Sequence, residues 1–390
     1  MVPLVWLLPW ILALVVVLPA LRRRPRLRDF PPPADAAPRV SIIVPARNEA
    51  HNIGACIASL LGSTYPNYEI VAVDDRSEDG TAEILEAMVE QGTPNFRMVR
   101  GKPLPPGWFG KPWACRQGAD VAEGELLAFT DADTRHAPAL LGHAVGALTA
   151  RDAALVTILP RQLLGSFWEC VIMPHMLLAI LIRFRNTARV NRARNPRDVI
   201  ANGQFILVRR DAYEAVGGHE AIRGEVVEDL RLAQRFVAAG YRMFLAHAEE
   251  LMTTRMYRSL RELVEGWTKN VATGARQTVA PWLRPAVPWL VAASFLALWV
   301  LPPLVLFGSA IAGRDSIVRA WAAAATGISL VGWLVADLRL HVPPGYVLLY
   351  PLGAVMAALI FVRSALRGER VVWKGRWYGR ADGHGSGRDA

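Results

Sequence analysis

VSIIVPARNE (40–49), a helix's length, and then EIVAVDDRSEDGT (69–81) read as strand, polar turn, helix, strand, polar turn, helix. Val40–Val44 is a β-branched apolar run closed by Pro45, the pattern of a buried strand. Residues 50–61 bring Ile53, Ile57, Leu60 and Leu61 onto one helical face. Glu69–Val73 is a second strand running into Asp74-Asp75. The helix after it opens at Asp79-Gly80-Thr81, which reads as a cap, and carries Ile84, Leu85 and Met88. Phe96–Val99 is a weaker strand, 112–121 is helical, and Leu126–Thr130 is a strand that ends in Asp131. This alternation predicts an α/β fold with a mostly parallel sheet and helices on both faces.

The flanks read differently. Hydrophobic residues make up 53% of the 390, although 20% are charged. A soluble domain rarely combines the two, so the apolar excess must be local. Residues 1–21 contain no charge and are long enough to cross a bilayer, and further apolar stretches occupy 286–312, 317–337 and 346–362. Arg22, Arg23, Arg24, Arg26 and Arg28 follow the first run, the reverse of a signal peptide's charge order. They predict an uncleaved anchor whose downstream side faces the cytoplasm. The expected organisation is an anchor at 1–28, a cytoplasmic domain at 39–280, membrane helices at 281–366 and a basic tail at 367–390. DFPPPADAAPR (29–39) is expected to be an irregular spacer. The stretch 167–184 is apolar but carries Glu169, Pro174 and His175 and leads into Arg183–Arg194, so it is expected to lie along the membrane surface. His175 reads as a structural histidine. Cys56, Cys115 and Cys170 are too few and too scattered for a disulfide framework. The net charge of +10 gathers beside apolar segments, with no recognition helix or aromatic RNA-binding signature, so anionic headgroups are expected partners and nucleic acid is not.

Ligands of open α/β sheets sit at the carboxyl ends of strands. Three such ends here carry polar clusters: Pro45-Ala46-Arg47-Asn48-Glu49, Asp74-Asp75-Arg76-Ser77 and Asp131-Ala132-Asp133. Facing carboxylates repel unless a cation or donor groups join them. Asp131-x-Asp133 suits Mg²⁺ or Mn²⁺ with phosphate oxygens completing the shell. There is no P-loop, and the histidines lack ligand spacing, which argues against zinc. Glu228-Asp229 opens a helix carrying Leu230, Ala233, Phe236 and Val237 and closed by Gly240. Spacing alone leaves two readings of this pair open: helix cap and dipole partner, or general base.

These motifs, in this order, resemble the family 2 inverting glycosyltransferases over about residues 39–270. GKPLPPGWFGKPWACRQG (101–118) and WKGRWYGR (373–380) are further similar to a bacterial hopanoid-associated branch. The resemblance implies a GT-A nucleotide-diphospho-sugar transferase fold. It implies that Pro45, Arg47, Glu49 and Asp75 hold the base and ribose of a uridine-type donor, and that Lys111 lies near its diphosphate. Asp133 with Asp131 would bind the metal–diphosphate unit, Mg²⁺ or Mn²⁺, and Asp229 would be the catalytic base. The partners so implied are a nucleotide-sugar and a lipid acceptor, at a cytoplasmic membrane crossed several times. Processive members carry Gln-x-x-Arg-Trp, whereas LVEGW (263–267) keeps only Trp267, which weighs against a polymer synthase. Trp267 reads equally as an acceptor-side residue or as an interfacial belt aromatic. A catalytically silent scaffold is the remaining alternative, and intact Asp75, Asp131, Asp133 and Asp229 speak against it. A basic tail disagrees with three crossings from a cytoplasmic start, so one apolar segment, 286–312 with its Pro302-Pro303, is expected not to span.

Overall fold

The computed structural model describes residues 4–20, 24–33, 37–312, 316–368, 371–373 and 376–378. Arg22 and Arg23, and Arg370, Lys374 and Arg380 of the tail, lie outside the described residues. The chain forms two compact units, one of 24–163, 187–256 and 369–390, the other of 1–23, 164–186 and 257–368. The stretch 39–280, expected as one soluble domain, is therefore shared between them.

The first unit is built on a seven-stranded sheet in the order β3-β2-β1-β4-β8-β6-β9. Its strands are β1 (Val40–Ala46), β2 (Tyr68–Asp74), β3 (Phe96–Arg100), β4 (Leu126–Thr130), β6 (Leu155–Leu159), β8 (Phe205–Arg209) and β9 (Met243–His247). β5 (Thr134–His136), β7 (Arg161–Gln162) and β10 (Met252–Thr254) make a small second sheet. The parallel pairings β1–β2, β2–β3 and β1–β4 follow the expected alternation. β8 departs from it, running antiparallel between β4 and β6. Its reversal brings the loop before Phe205 to the edge where β4 ends, since Thr130 pairs with Phe205. The core is the fully buried β-branched set of the central strands, Val40, Ile42, Val44 and Ile70, with Ile53 and Ile57 of the first helix packed on it. The helix Gly110–Val121 lies close on the sheet because Gly118 has no side chain. A Cβ there would stand 2.5 Å from Ile43 Cγ2, and Lys111 is thereby delivered to the sheet's carboxyl edge.

The spacer expected at 29–39 has no regular structure at 31–33 and 37–39, but its start and the residues before it, 24–30, are docked on the sheet unit. Leu27 is fully buried in a short 3₁₀ turn, and Phe30 packs edge-on against Phe244. His247 donates its N–H to Pro25 O, so the segment runs beside β9. Arg24 and Arg26 pair with Glu249 and Glu250 at 3.9 and 3.6 Å, and Arg28 also meets Glu250. Two apolar side chains three apart supplied the docking energy that the proline content concealed.

The second unit is helical. Four helices, Phe167–Arg192, Val287–Ile311, Ile317–Arg339 and Pro344–Arg367, are long and apolar enough to cross a membrane. Trp282, Phe307, Ile311, Leu348 and Leu366 are all at least 70% exposed, an apolar surface that water would not tolerate. The first of the four cannot make a single crossing. β6 precedes it, β8 follows it, and the two pair directly, so both its ends must lie on one side of any bilayer. The second breaks at Val300 into Val287–Trp299 and Leu301–Ile311, beside the donor-lacking Pro302 and Pro303. His175 is a buried core residue: its ring nitrogens stand 3.1 and 2.9 Å from Val171 O and Tyr350 O, one of which takes its single N–H, and it stacks on Trp333. Trp267 is 7% exposed, with its indole N–H on Met173 Sδ at 3.2 Å.

Candidate active site

The turns after β1 and β2 are tied to each other. Arg47, nearly buried, donates to Asp75 O and Arg76 O at 2.8 and 2.7 Å and pairs with Glu78 at 3.3 Å. Asn48 adopts φ 52°, a conformation that asparagine tolerates, and from there its N–H reaches Ser77 Oγ while its Oδ1 accepts from Glu78 N. Glu49 N–H donates to Thr81 Oγ1, and Glu49 Oε2 accepts from Asn52. Asp79, read as a cap, does two jobs: Oδ1 accepts from Thr81 N and Oδ2 from Ala50 N. Asp75 is 2% exposed just past the end of β2, and its N–H donates to Ala46 O at 2.7 Å. The four residues expected to hold a nucleotide thus share one rigid pair of turns at the switch point where strand order reverses about β1.

The acidic residues come together at the adjoining strand ends. Lys111 Nζ lies 2.6 Å from Asp131 Oδ1 and 2.9 Å from Glu228 Oε1. Asp229, beside Glu228 in the first helical turn, accepts from Gly203 N at 2.8 Å and Leu230 N at 2.7 Å. Burial pulls the Lys111 ammonium down, but Asp131 and Glu228 outweigh it and hold it well above its ordinary value. Burial raises Asp131 despite the ammonium upon it. Burial, with Glu228 adding to it, pushes Asp229 up to about 6 against the pull of Lys111 and the two N–H donors. A carboxylate so tuned is largely deprotonated at neutral pH yet basic enough to take a proton.

Among the described residues no group of three or more His, Cys, Asp or Glu is placed to hold a metal ion. The residues fit a different kind of metal. Asp131 and Asp133 flank one turn as hard oxygen donors, and Mg²⁺ or Mn²⁺ bound by two carboxylates takes its other ligands from water and substrate phosphate. The ammonium on Asp131 marks that position as one that a cation stabilises.

The sequence reading missed the loop Asn202-Gly203-Gln204. A Cβ on Gly203 would lie 3.0 Å from Lys111 Nζ and 3.2 Å from Asp229 Oδ2, so glycine permits the backbone to approach both. Asn202 anchors the loop by donating to Ile158 O and Gln204 Oε1. ANGQF (201–205) before an apolar run was the available signal, but its importance depends on β8 being reversed. Trp267 belongs to the helical unit, in the helix Leu260–Gln277, not to the sheet that carries the other residues.

Residues 41–217 match the family model described as Glycosyl transferase family 2. The 4,4'-diaponeurosporenoate glycosyltransferase of Staphylococcus aureus strain USA300 is 26% identical over 258 residues, 64% of this chain and 65% of that one. Its counterpart in strain MRSA252 is 27% identical over the same length. The chain thus spans just under two thirds of these relatives. Among solved structures, a mannosyltransferase of Pyrobaculum calidifontis in complex with GDP-Man and Mn²⁺ superimposes with a TM-score of 0.54 at 20% identity, covering 93% of this chain and 94% of that one. The superposition shows a shared fold, the GT-A type of mostly parallel sheet, and the family 2 match is confined to residues 41–217.

Proposed function

We propose that this chain, built on a glycosyltransferase family 2 domain, moves a sugar from a nucleotide-diphosphate donor to a membrane-lipid hydroxyl in one inverting displacement. The observation that carries the reading is Asp229, held by the N–H groups of Gly203 and Leu230 beside the Lys111–Asp131–Glu228 cluster. The tied turns of Pro45–Glu49 and Asp75 take the base and ribose, with Arg47 holding the Asp75 turn in shape. Asp131 and Asp133 would hold a Mg²⁺ or Mn²⁺ ion, which would supply positive charge for the departing diphosphate. Lys111, now on Asp131 and Glu228, would pair with a diphosphate oxygen of the donor. Asp229 takes the acceptor proton as the hydroxyl oxygen bonds to the anomeric carbon and the bond to the diphosphate breaks.

A UDP-sugar follows from the family resemblance, and a hopanoid-related acceptor from the likeness of 101–118 and 373–380. A lipid acceptor is supported by the apolar helices and by the similarity to 4,4'-diaponeurosporenoate glycosyltransferases. Presenting the acceptor at the bilayer spares about 0.8 kcal/mol per CH₂ that extraction into water would cost. The arginines after the first apolar run support a reading in which an anchor at 1–28, a transferase portion within 39–280, membrane helices at 281–366 and a basic tail at 367–390 leave the site facing the cytoplasm at the inner membrane. Trp267 enters this scheme through the helix that it anchors.

The test is full-length protein in liposomes with labelled UDP-sugars and Mn²⁺, followed by organic extraction. Labelled lipid with released UDP is expected. Release of no nucleotide, or label found only in water-soluble glycan, overturns the reading. A reporter fused after Ala390 that is active only outside the cytoplasm overturns the placement of the tail.

A further inference from the structure

Beneath the Asp131–Asp133 turn lies a set of buried polar side chains that the mechanism does not use. Thr130 and Thr134 are 1% and 0% exposed, and His136 is 8% exposed. Thr130 Oγ1 donates to Gln204 O at 2.7 Å, and Thr134 Oγ1 donates to Asp131 O at 2.7 Å. A hydroxyl has one proton, so these two bonds use both. Each oxygen then offers only lone pairs to His136 Nε2, which stands 3.1 Å from Thr130 Oγ1 and 2.9 Å from Thr134 Oγ1. Nε2 must therefore carry hydrogen and be shared between the two. Burial, with Arg135 nearby, pushes the ring down to about 3, so it is neutral and Nδ1 is bare. The position of the imidazole is set from behind, where His136 N–H donates to Ser59 Oγ and β5 pairs with β10.

We infer that His136 is a positioning residue, which through the hydroxyls of Thr130 and Thr134 sets the Asp131–Asp133 turn and the Asn202–Gln204 loop against each other. One arm ends on the carbonyl of Asp131. The other ends on the carbonyl of Gln204, whose neighbour Gly203 holds Asp229. The ring nitrogen thereby adds a second tie between the metal turn and the base loop, beside the direct bond of Asp131 N–H to Gln204 O at 3.4 Å. A histidine serving only to fill the core would need neither arm. The roles of Asp131 and Asp229 in this inference rest on the proposed function; the hydrogen-bond coupling does not.

The experiment compares His136→Phe, His136→Gln, Thr134→Val and Thr130→Val in the full-length protein. It measures Mn²⁺-dependent UDP affinity by calorimetry, kcat with saturating donor, and hydrogen exchange of segments 129–134 and 202–206 without ligand. Outer partners of metal ligands typically matter by about 10–100-fold, so His136→Phe is expected to weaken UDP binding and kcat each within that range. His136→Gln, whose amide can donate to both hydroxyls, should recover most of both losses. Thr134→Val should shift UDP affinity more than kcat, and Thr130→Val the reverse. Faster exchange in both segments should accompany His136→Phe. Wild-type values in His136→Phe, a glutamine variant as impaired as phenylalanine, or threonine variants that move both readouts equally would overturn the inference. Should wild-type protein show no metal-dependent UDP or GDP binding, the proposed function falls and the exchange result alone decides the coupling. If His136→Phe does not fold, the two threonine variants and the glutamine variant decide it.

Discussion

The two halves of the candidate site are held by different physics. On the nucleotide side, Arg47, Asn48, Glu49, Ser77, Glu78, Asp79 and Thr81 cross-tie two turns with neutral and charge-assisted hydrogen bonds, most of them to backbone atoms. On the carboxylate side, one ammonium stands between Asp131 and Glu228, with Asp229 beside them. The first half is a mould whose shape is complete before any ligand arrives. The second is a charge balance, stable as it stands but open to exchange when another cation and a diphosphate enter. Hydrogen-bonded turns give shape selectivity at low electrostatic cost. Under the proposed function, the crowded carboxylates would serve as a tunable base and a cation site, at the cost of needing a counter-charge.

The contrast can be broken first at Asp229. Asp229→Asn should lower turnover by about 10²–10⁴-fold while donor affinity stays near wild type, because positioned base catalysis is worth that much. The wild-type kcat/KM profile should show an acid limb near pH 6, since the raised carboxyl must lose its proton to act and is protonated below about 6. Steady-state kinetics of both proteins across pH 5–9 decide it, and an Asn variant with full activity removes Asp229 from the mechanism.

Lys111→Met tests the charge balance itself. It leaves Asp131, Glu228 and Asp229 without their ammonium, and unpairing a buried ion costs about 3–5 kcal/mol. Because these side chains are partly solvent-accessible, a loss of about 2–3 kcal/mol is expected. The sign with pH follows from the raised acids: their protonated forms are favoured in the fold, so the penalty is largest above about pH 6 and shrinks as pH falls. Denaturant melts at pH 5 and 8 measure it.

Gly203→Ala asks how closely the loop must approach. A Cβ 3.0–3.3 Å from Lys111 and Asp229 forces a shift of a few tenths of an ångström, and kcat should fall about tenfold because reactive geometry tolerates little displacement. Unchanged kcat would show that Asp229 does not depend on the loop. The smallest effect belongs to the mould. Asn48→Gly keeps the positive φ but removes the bond to Glu78 N, and should cost about 1 kcal/mol with a raised donor KM and an unaltered kcat. A loss of kcat instead would mean that the two halves are not separable.

The sequence by itself determined the alternation of apolar runs and helical faces, and so the class of fold. It also determined the polar clusters at three strand ends, because those residues are contiguous and strand ends are where such sheets bind ligands. The apolar flanks were equally plain. Pairings between distant residues were decided only by tertiary structure. Strand direction is one: nothing within FILVR (205–209) says that it runs against its neighbours, yet that reversal brings Gly203 to Asp229. The docked segment 24–30 is another, since Leu27 and Phe30 are legible as anchors only once Phe244 faces them. The same holds for the stretch 167–184, whose apolarity argues for a span while the pairing of β6 with β8 rejects a single crossing. Last is the sharing of Lys111 between Asp131 and Glu228, residues nearly a hundred positions apart. Local periodicity records which face of an element is buried; it carries no record of which partner lies across the gap, and the chemistry of this site is made of such partners.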